Sequence, residues 1–190
     1  MWTRPRTARR LSLETVVADK KLTKGKKISG IKKSEIETPL QEIASLIKKI
    51  RWCYLPKKQL IGSSDFEKLN IAAKKLDDLL RNKKIDTADL DLFKRLRFLV
   101  RTIVTLKDRI LELPDDPSSA VDFRFVKVIS VEKHPKSEKL LRVWVSDGTS
   151  KYEVLTNDLS VKKNEVLLLS FLPPKKMLGI TSEGMFVGDK

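Results

Sequence analysis

The sequence predicts an α+β chain of two folded parts, an N-terminal three-helix bundle followed by a small five-stranded β-barrel. Three observations carry this expectation. Between residues 38 and 113, apolar residues recur every three or four positions, the period of one helix face. From residue 121 onward they fall in short alternating runs separated by turn residues, with no helical period. Between the two lies Pro114-Asp115-Asp116-Pro117-Ser118-Ser119, whose prolines stop a helix and whose polar residues suit an exposed connection. The expected division is a basic disordered tail over 1–37, a helical bundle or hairpin domain over 38–113, a linker over 114–120 and the barrel over 121–190.

The tail reads from its composition. Residues 1–37 hold 11 Lys and Arg against 4 Asp and Glu. Lys20-Lys21, Lys24, Lys26-Lys27 and Lys32-Lys33 are interrupted by Gly25 and Gly30, with few large apolar groups. Such a segment cannot offset its ordering entropy by burial, and blocks of like charge often serve as interaction tails. Arg4, Arg6, Arg9 and Arg10 precede the first acid, Glu14, so an organellar transit peptide is a second reading. No apolar segment follows to make a secretory signal.

Each helix has its own stripe and start signal. Thr38-Pro39-Leu40-Gln41 offers an N-cap, Pro at the first helical position and a capping-box Gln. The first stripe is Leu40, Ile43, Ile47, Ile50 and Tyr54. Ser64-Asp65-Phe66-Glu67 repeats the device ahead of Phe66, Leu69, Ala73, Leu76 and Leu80. Asp86 or Thr87 can cap the third, which carries Leu92, Leu96, Leu99, Ile103, Leu106, Ile110 and Leu113. The breaks at Leu55–Ser63 and Asn82–Asp86 are short enough for antiparallel neighbours. The third stripe would also suit a coiled coil with another chain. Lys94, Arg97 and Arg101 recur on one face of that helix, spaced to meet successive phosphates, or simply to form a solvated face. Lys48, Lys49, Arg51, Lys57 and Lys58 add to the local positive charge.

The barrel strands are expected at Phe123–Val131, Leu140–Val145, Tyr152–Thr156, Val166–Leu172 and Met185–Val187. Asp147-Gly148 should make a tight turn between the second and third. Pro173-Pro174 should end the fourth, because proline cannot donate to a ladder.

Composition bounds the chemistry. The 190 residues carry a formal net charge of +15 with one Cys and one His. The excess points to a polyanion such as nucleic acid. Cys53 alone cannot form an internal disulfide, which suits a reducing, cytoplasmic setting. Cys53 and His134 cannot build a Cys/His metal site, and no phosphate-cradling glycine motif is present, so no metal, cofactor or catalytic residue is expected. No run is long enough to span a membrane. The simplest reading is a non-catalytic protein that binds.

The C-terminal 70 residues carry an ordered set of motifs. Arg124 lies in the first strand. His134-Pro135 is followed by Ser137, Glu138 and Lys139-Leu140. Pro174, Met177 and Gly179 then precede Ser182-Glu183-Gly184-Met185. In this order and spacing the segment resembles the tRNA-binding OB-fold domain of stand-alone tRNA-binding proteins, methionyl-tRNA synthetases, the bacterial phenylalanyl-tRNA synthetase β subunit and the endothelial monocyte-activating polypeptide. Departures from that pattern are Val126, where the family usually has Gly, and Thr156-Asn157, where a Ser-Gly pair is common. The chain also stops three residues after Val187, where many relatives continue into an extension that supports dimerisation.

The resemblance implies a five-stranded OB-fold β-barrel and tRNA as partner. It also implies that Ser182 and Met185 line the RNA-facing surface. The RNA-binding residues expected overall are Lys94, Arg97, Arg101, Arg124, Lys139, Asn157, Lys175, Lys176, Ser182 and Met185. Trp144 and Tyr152 are the candidates for base stacking, and either could instead belong to the core. His134 reads as a turn residue. Few aromatics and many cations favour recognition of shape and phosphate over sequence. The expected role is a tRNA-binding aminoacylation or tRNA-handling cofactor acting in trans. An aminoacyl-tRNA synthetase would dock through the helical region, and a homodimer is a further candidate assembly. A peptide-binding chaperone is one alternative, since a bacterial export-related chaperone shares the domain. A synthetase-complex assembly factor is another. Linker and barrel together, 114–190, are nearly neutral, with 12 Lys and Arg against 11 Asp and Glu, so most of the charge lies upstream.

Overall fold

The structure, a computed structural model, describes residues 33–81, 90–112 and 121–188. It has helices followed by a five-stranded antiparallel sheet. The chain divides into two compact units, one ending at Ser119 and the other starting at Ala120. The basic tail as far as residue 32, the segment 82–89 with its expected cap at Asp86 or Thr87, and the connection 113–120 lie outside the described residues.

The helical unit contains α1 (Lys33–Trp52), α2 (Lys57–Ile61), α3 (Ser64–Arg81), α4 (Leu90–Val104) and α5 (Leu106–Glu112). The three long helices share one core, built from Ile36, Ile43 and Leu46 of α1, Leu69, Ala72, Ala73, Leu76 and Leu80 of α3, and Leu96, Leu99, Val100 and Ile103 of α4. Apart from the adjacent pairs Ala72-Ala73 and Leu99-Val100, which widen the stripe, the intervals within these sets are three, four or seven, so amphipathic segments of this pattern bury their stripes against one another. No helix of the described residues is long and apolar enough to cross a membrane.

Three expectations are corrected here. Helix α1 starts at Lys33, ahead of the expected cap at Thr38, and runs through Pro39. Proline inside a helix removes one hydrogen bond, but Ile36 extends the buried stripe by a turn on the far side of it. The cap of α3 is Ser63, whose Oγ accepts the N–H of Phe66 at 3.3 Å. With Ser63 as cap, the third helical position is Phe66, so Glu67 cannot complete the expected box. Finally, the predicted third helix is divided at Thr105, and α2 occupies the predicted first loop, so the described residues hold five helices where three were expected.

The division at Thr105 has a local cause. Thr102 Oγ1 donates to the Phe98 carbonyl at 2.8 Å and Thr105 Oγ1 to the Arg101 carbonyl at 2.9 Å. Hydroxyls that bond back four residues bend a helix. The guanidinium of Arg109 then donates to the Thr102 carbonyl at 2.8 Å, taking an acceptor that a continuing helix would use. Beyond the bend, α5 buries none of its residues.

The second unit is one antiparallel sheet of β1 (Asp122–His134), β2 (Ser137–Ser146), β3 (Lys151–Thr156), β4 (Val166–Met177) and β5 (Ile180–Val187), in the order β3-β2-β1-β4-β5. β1 is shared. Its first half pairs with β4, from Asp122↔Phe171 to Lys127↔Val166, and its second half with β2. A bulge between Val128 and Ser130 marks the change of partner and bends the strand. The sheet curls around Val126, Val128, Val143, Val145, Val154, Leu169 and Phe171.

Strand β4 corrects another expectation. It does not end at Pro173-Pro174 but continues to Met177, with Lys175↔Ser182 and Lys176↔Thr181 paired beyond an irregularity between Phe171 and Lys175. The prolines sit in that irregularity, where no ladder donor is needed.

The ladder does not join the edge strands β3 and β5. Side chains of β5 bridge them. Ser182 Oγ accepts the N–H of Leu155 and Glu183 Oε2 accepts the N–H of Glu153, both at 3.0 Å. Residues 153 and 155 are two apart, so their N–H groups leave β3 on the same edge. Unpaired buried amides are costly, and these two acceptors satisfy them. Gly184 lets β5 lie close against β4, since a Cβ there would stand 2.5 Å from the Ser170 carbonyl oxygen.

Candidate nucleic-acid interface

Two hairpins of the sheet meet at their tips. In the first, β1 turns into β2 through Pro135-Lys136, with His134 paired to Ser137. His134 is buried, and its Nδ1 accepts the N–H of Lys136 at 3.0 Å. The imidazole thereby holds the turn and fixes the backbone from which the Lys136 side chain leaves. Lys139 follows on β2, exposed, with its N–H donated to Ser137 Oγ at 3.3 Å.

In the second hairpin, β4 turns into β5 through Leu178 and Gly179, whose φ angles are +49° and +99°. Two successive left-handed residues match the right-handed twist of the flanking strands. Lys175 and Lys176 lie just ahead of this turn, both exposed. The Lys136 ammonium stands 3.9 Å from where a Cβ on Gly179 would be. Lys136 of one tip therefore reaches the other, which carries Lys175 and Lys176. Cations near one another repel, and a bound anion relieves that repulsion, although Lys175 and Lys176, adjacent on β4, leave it on opposite faces. Lys136 is not among the residues expected from the sequence, although its place beside His134-Pro135 is the available signal.

The other expected residues are spread more widely. Arg124, on β1, is exposed and its Nε lies 3.3 Å from Asp122 Oδ1. Asn157 is exposed just after β3. Met185 is 57% exposed on β5. It lies in register with Ser170 and Phe123, and the next pairing on that face joins Phe125, Leu168 and Val187. Phe123, Phe125, Met185 and Val187 are all exposed, so Met185 belongs to an apolar outer face.

Ser182 and Lys94 are not at an open surface. Ser182 is 5% exposed, and besides accepting from Leu155 its hydroxyl donates to the Gly184 carbonyl at 2.9 Å. Lys94 is 2% exposed on the inner side of α4. Arg97 and Arg101 are half-buried, with the Arg97 guanidinium 5.4 Å from the centre of the Phe93 ring. The expected solvent-facing stripe on this helix therefore does not include Lys94. Helical spacing sets which residues share a face, but does not say which neighbours cover it.

Neither stacking candidate presents an open ring. Tyr152 is buried, edge-on to Phe171 at 4.8 Å, and donates its hydroxyl proton to Asp147 Oδ2 at 3.2 Å. Trp144 is half-buried beneath the Arg142 guanidinium, 5.3 Å from its ring centre. Arg142 in turn pairs with the buried Glu153 carboxylate and lies 3.7 Å from Glu132 Oε2. No cluster of His, Cys, Asp and Glu among the described residues could hold a metal ion.

Residues 123–190 match the family model described as "Putative tRNA binding domain". The chain is 33% identical over 114 residues to a methionine–tRNA ligase of Thermotoga maritima, covering 57% of this chain and 17% of that protein. A methionine–tRNA ligase of Methanospirillum hungatei is 28% identical over 163 residues, covering 80% of this chain and 24% of the ligase. An alignment of that extent includes much of the helical unit. The phenylalanine–tRNA ligase beta subunit of Leptospira biflexa is 28% identical over 107 residues, 52% of this chain and 13% of that subunit. The chain thus spans less than a quarter of the length of these relatives. Within it, residues 123–190 form a domain of this tRNA-binding family, the one that the His-Pro and Ser-x-Gly-Met motifs resemble.

Proposed function

We propose that the chain is a non-catalytic tRNA-binding protein that acts in trans as an aminoacylation or tRNA-handling cofactor. The observation that carries this reading is the meeting of two lysine-bearing hairpin tips inside the matched domain. Lys136 and Lys139 come from one tip, and Lys175 and Lys176 from the other. These groups bind phosphate, with Arg124 and Asn157 as outlying contacts. The aligned methionine–tRNA and phenylalanine–tRNA ligases support tRNA as the RNA bound. Ser182 contributes by holding the barrel together, and Met185 by the apolar face it shares.

The same reading takes the second unit as an OB-fold barrel and the three long helices as a bundle. Side-chain bridging of β3 to β5 supports the first, and the core shared by α1, α3 and α4 supports the second. A synthetase is the partner proposed for the helical unit, because the Methanospirillum ligase aligns with that region as well. Arg97 and Arg101 remain proposed phosphate contacts there. A homodimer, the other proposed assembly, finds support in the apolar face of Phe123, Phe125, Met185 and Val187.

The test is equilibrium binding of folded tRNA across a salt series. The expected log–log slope is about −0.7 to −0.9 for each phosphate engaged. Binding that is flat with salt, together with preference for unfolded polypeptide over tRNA, overturns the reading in favour of a peptide-binding chaperone.

A further inference from the structure

The junction of α1 and α2 exposes two aromatic rings in a field of positive charge. Trp52 is 62% exposed and Tyr54 is 80% exposed. Their ring centres are 6.4 Å apart, with planes inclined at 60°. The Arg51 guanidinium lies 5.2 Å from the centre of the Trp52 ring. Tyr54 has a φ of +49°, a conformation uncommon for a bulky residue that surrounding structure must maintain. The apolar stripe of α1 assigns this ring to the core, yet the chain turns before reaching it, and the ring stands in water.

Along the chain on either side of the rings the charge has one sign. Lys48, Lys49, Arg51, Lys57 and Lys58 are all exposed, and no Asp or Glu occurs anywhere from Ile43 to Ser64. The neighbouring α5 contributes Lys107, Arg109, Asp108 and Glu112, whose charges cancel.

We propose that this junction is a second RNA-contact site, a platform for unpaired, splayed nucleotides. It lies outside the matched domain and goes beyond the tRNA reading, because it would take any flexible single strand. Exposed rings offer faces to bases, and the cations track the backbone, which is the combination used on single-stranded nucleic acid. The Arg51 guanidinium sits by the indole without burying it, unlike Arg142 over the half-buried Trp144, and adds a cation beside the ring. A protein partner would have to supply both apolar cover and several carboxylates, whereas a nucleic-acid strand carries rings and negative charge in every unit. The inclination sharpens the ligand class. Bases in a continuous stack are parallel, and two planes 60° apart cannot both continue one stack. Neighbouring bases must therefore turn away from each other, as they do in loops and free ends.

The test uses the full chain, a short oligouridylate and an RNA duplex of equal length, read by anisotropy and by tryptophan quenching. The intact chain should bind the single strand, and W52A/Y54A should lose about tenfold or more of that affinity. W52F/Y54F, which keeps both ring faces, should stay within about twofold of the intact chain. Neither substitution should alter duplex binding by more than about twofold. Unchanged affinity in W52A/Y54A overturns the assignment, as does an equal loss in W52F/Y54F. Failure of the intact chain to bind oligouridylate also overturns it and returns the patch to a protein partner. Folded tRNA, measured in parallel, separates this from the barrel reading. Loss of tRNA binding on removal of the hairpin-tip lysines, with oligouridylate binding still dependent on Trp52, supports both assignments as separate sites. An intact chain that binds oligouridylate through Trp52 but ignores tRNA leaves this site standing and removes the other.

Discussion

The hydroxyl of Ser182 accepts the backbone N–H of Leu155 at 3.0 Å, linking edge strands that share no ladder. Removing that oxygen leaves a buried amide without its acceptor. Ser182→Ala should therefore lower the unfolding free energy by about 1–3 kcal/mol in a urea titration. Gly184→Ala should cost about as much, 1–3 kcal/mol, because its Cβ meets the Ser170 carbonyl and β5 must shift. In both variants the tRNA salt slope should be unchanged under conditions where the protein is folded.

The hairpin tips give the opposite pattern. Replacing Lys136, Lys139, Lys175 and Lys176 together by Gln removes exposed charge without disturbing the core. Stability should move by no more than about 0.5 kcal/mol. The slope of log affinity for tRNA against log salt should shrink by up to about 0.7–0.9 per lysine that touches a phosphate. An unchanged slope would mean that the tips are an ordinary solvated surface.

Lys94 separates from its two neighbours on α4. Its aliphatic stem is packed inside the helical unit, so Lys94→Ala should destabilise by about 1–3 kcal/mol through lost packing. The salt slope should not follow. Arg97→Gln with Arg101→Gln tests the phosphate role on this helix, and a reduced slope there is the expected result.

Arg142 contrasts two ion pairs on one side chain. Glu153 is buried, while Glu132 is more than half exposed and 3.7 Å away. Glu132→Gln should change stability by about 0–1 kcal/mol. Arg142→Met strips the partner from a buried carboxylate and should cost more, about 1–3 kcal/mol by thermal or urea unfolding.

Much of this was legible in the chain. The stripe Phe66, Leu69, Ala73, Leu76 and Leu80 lies buried on α3 as its spacing requires. His134-Pro135 marks the first hairpin turn, because its backbone demand is local, whereas the turn at Gly179 lies beyond the expected end of the fourth strand. What could not be read was decided by tertiary neighbours. Tyr54 continues the stripe of α1 by spacing, but the helix ends at Trp52, two residues too soon. Lys94 shares a polar stripe with Arg97 and Arg101, yet it alone of the three is fully buried. The approach of Lys136 to Gly179 joins residues 43 positions apart, and no periodicity reports a contact of that kind.

The join between β3 and β5 has one more consequence. A backbone ladder tolerates replacement of almost any single side chain, since every residue except proline brings the same amide. A seam made by one hydroxyl and one carboxylate has no such redundancy. At Ser182 and Glu183 the continuity of the wall is written into residue identity rather than into the polymer itself. The Ser-x-Gly-Met string is thus a fastening as much as a signature: a latch at Ser182, clearance for it at Gly184, and at Met185 the first residue that faces out.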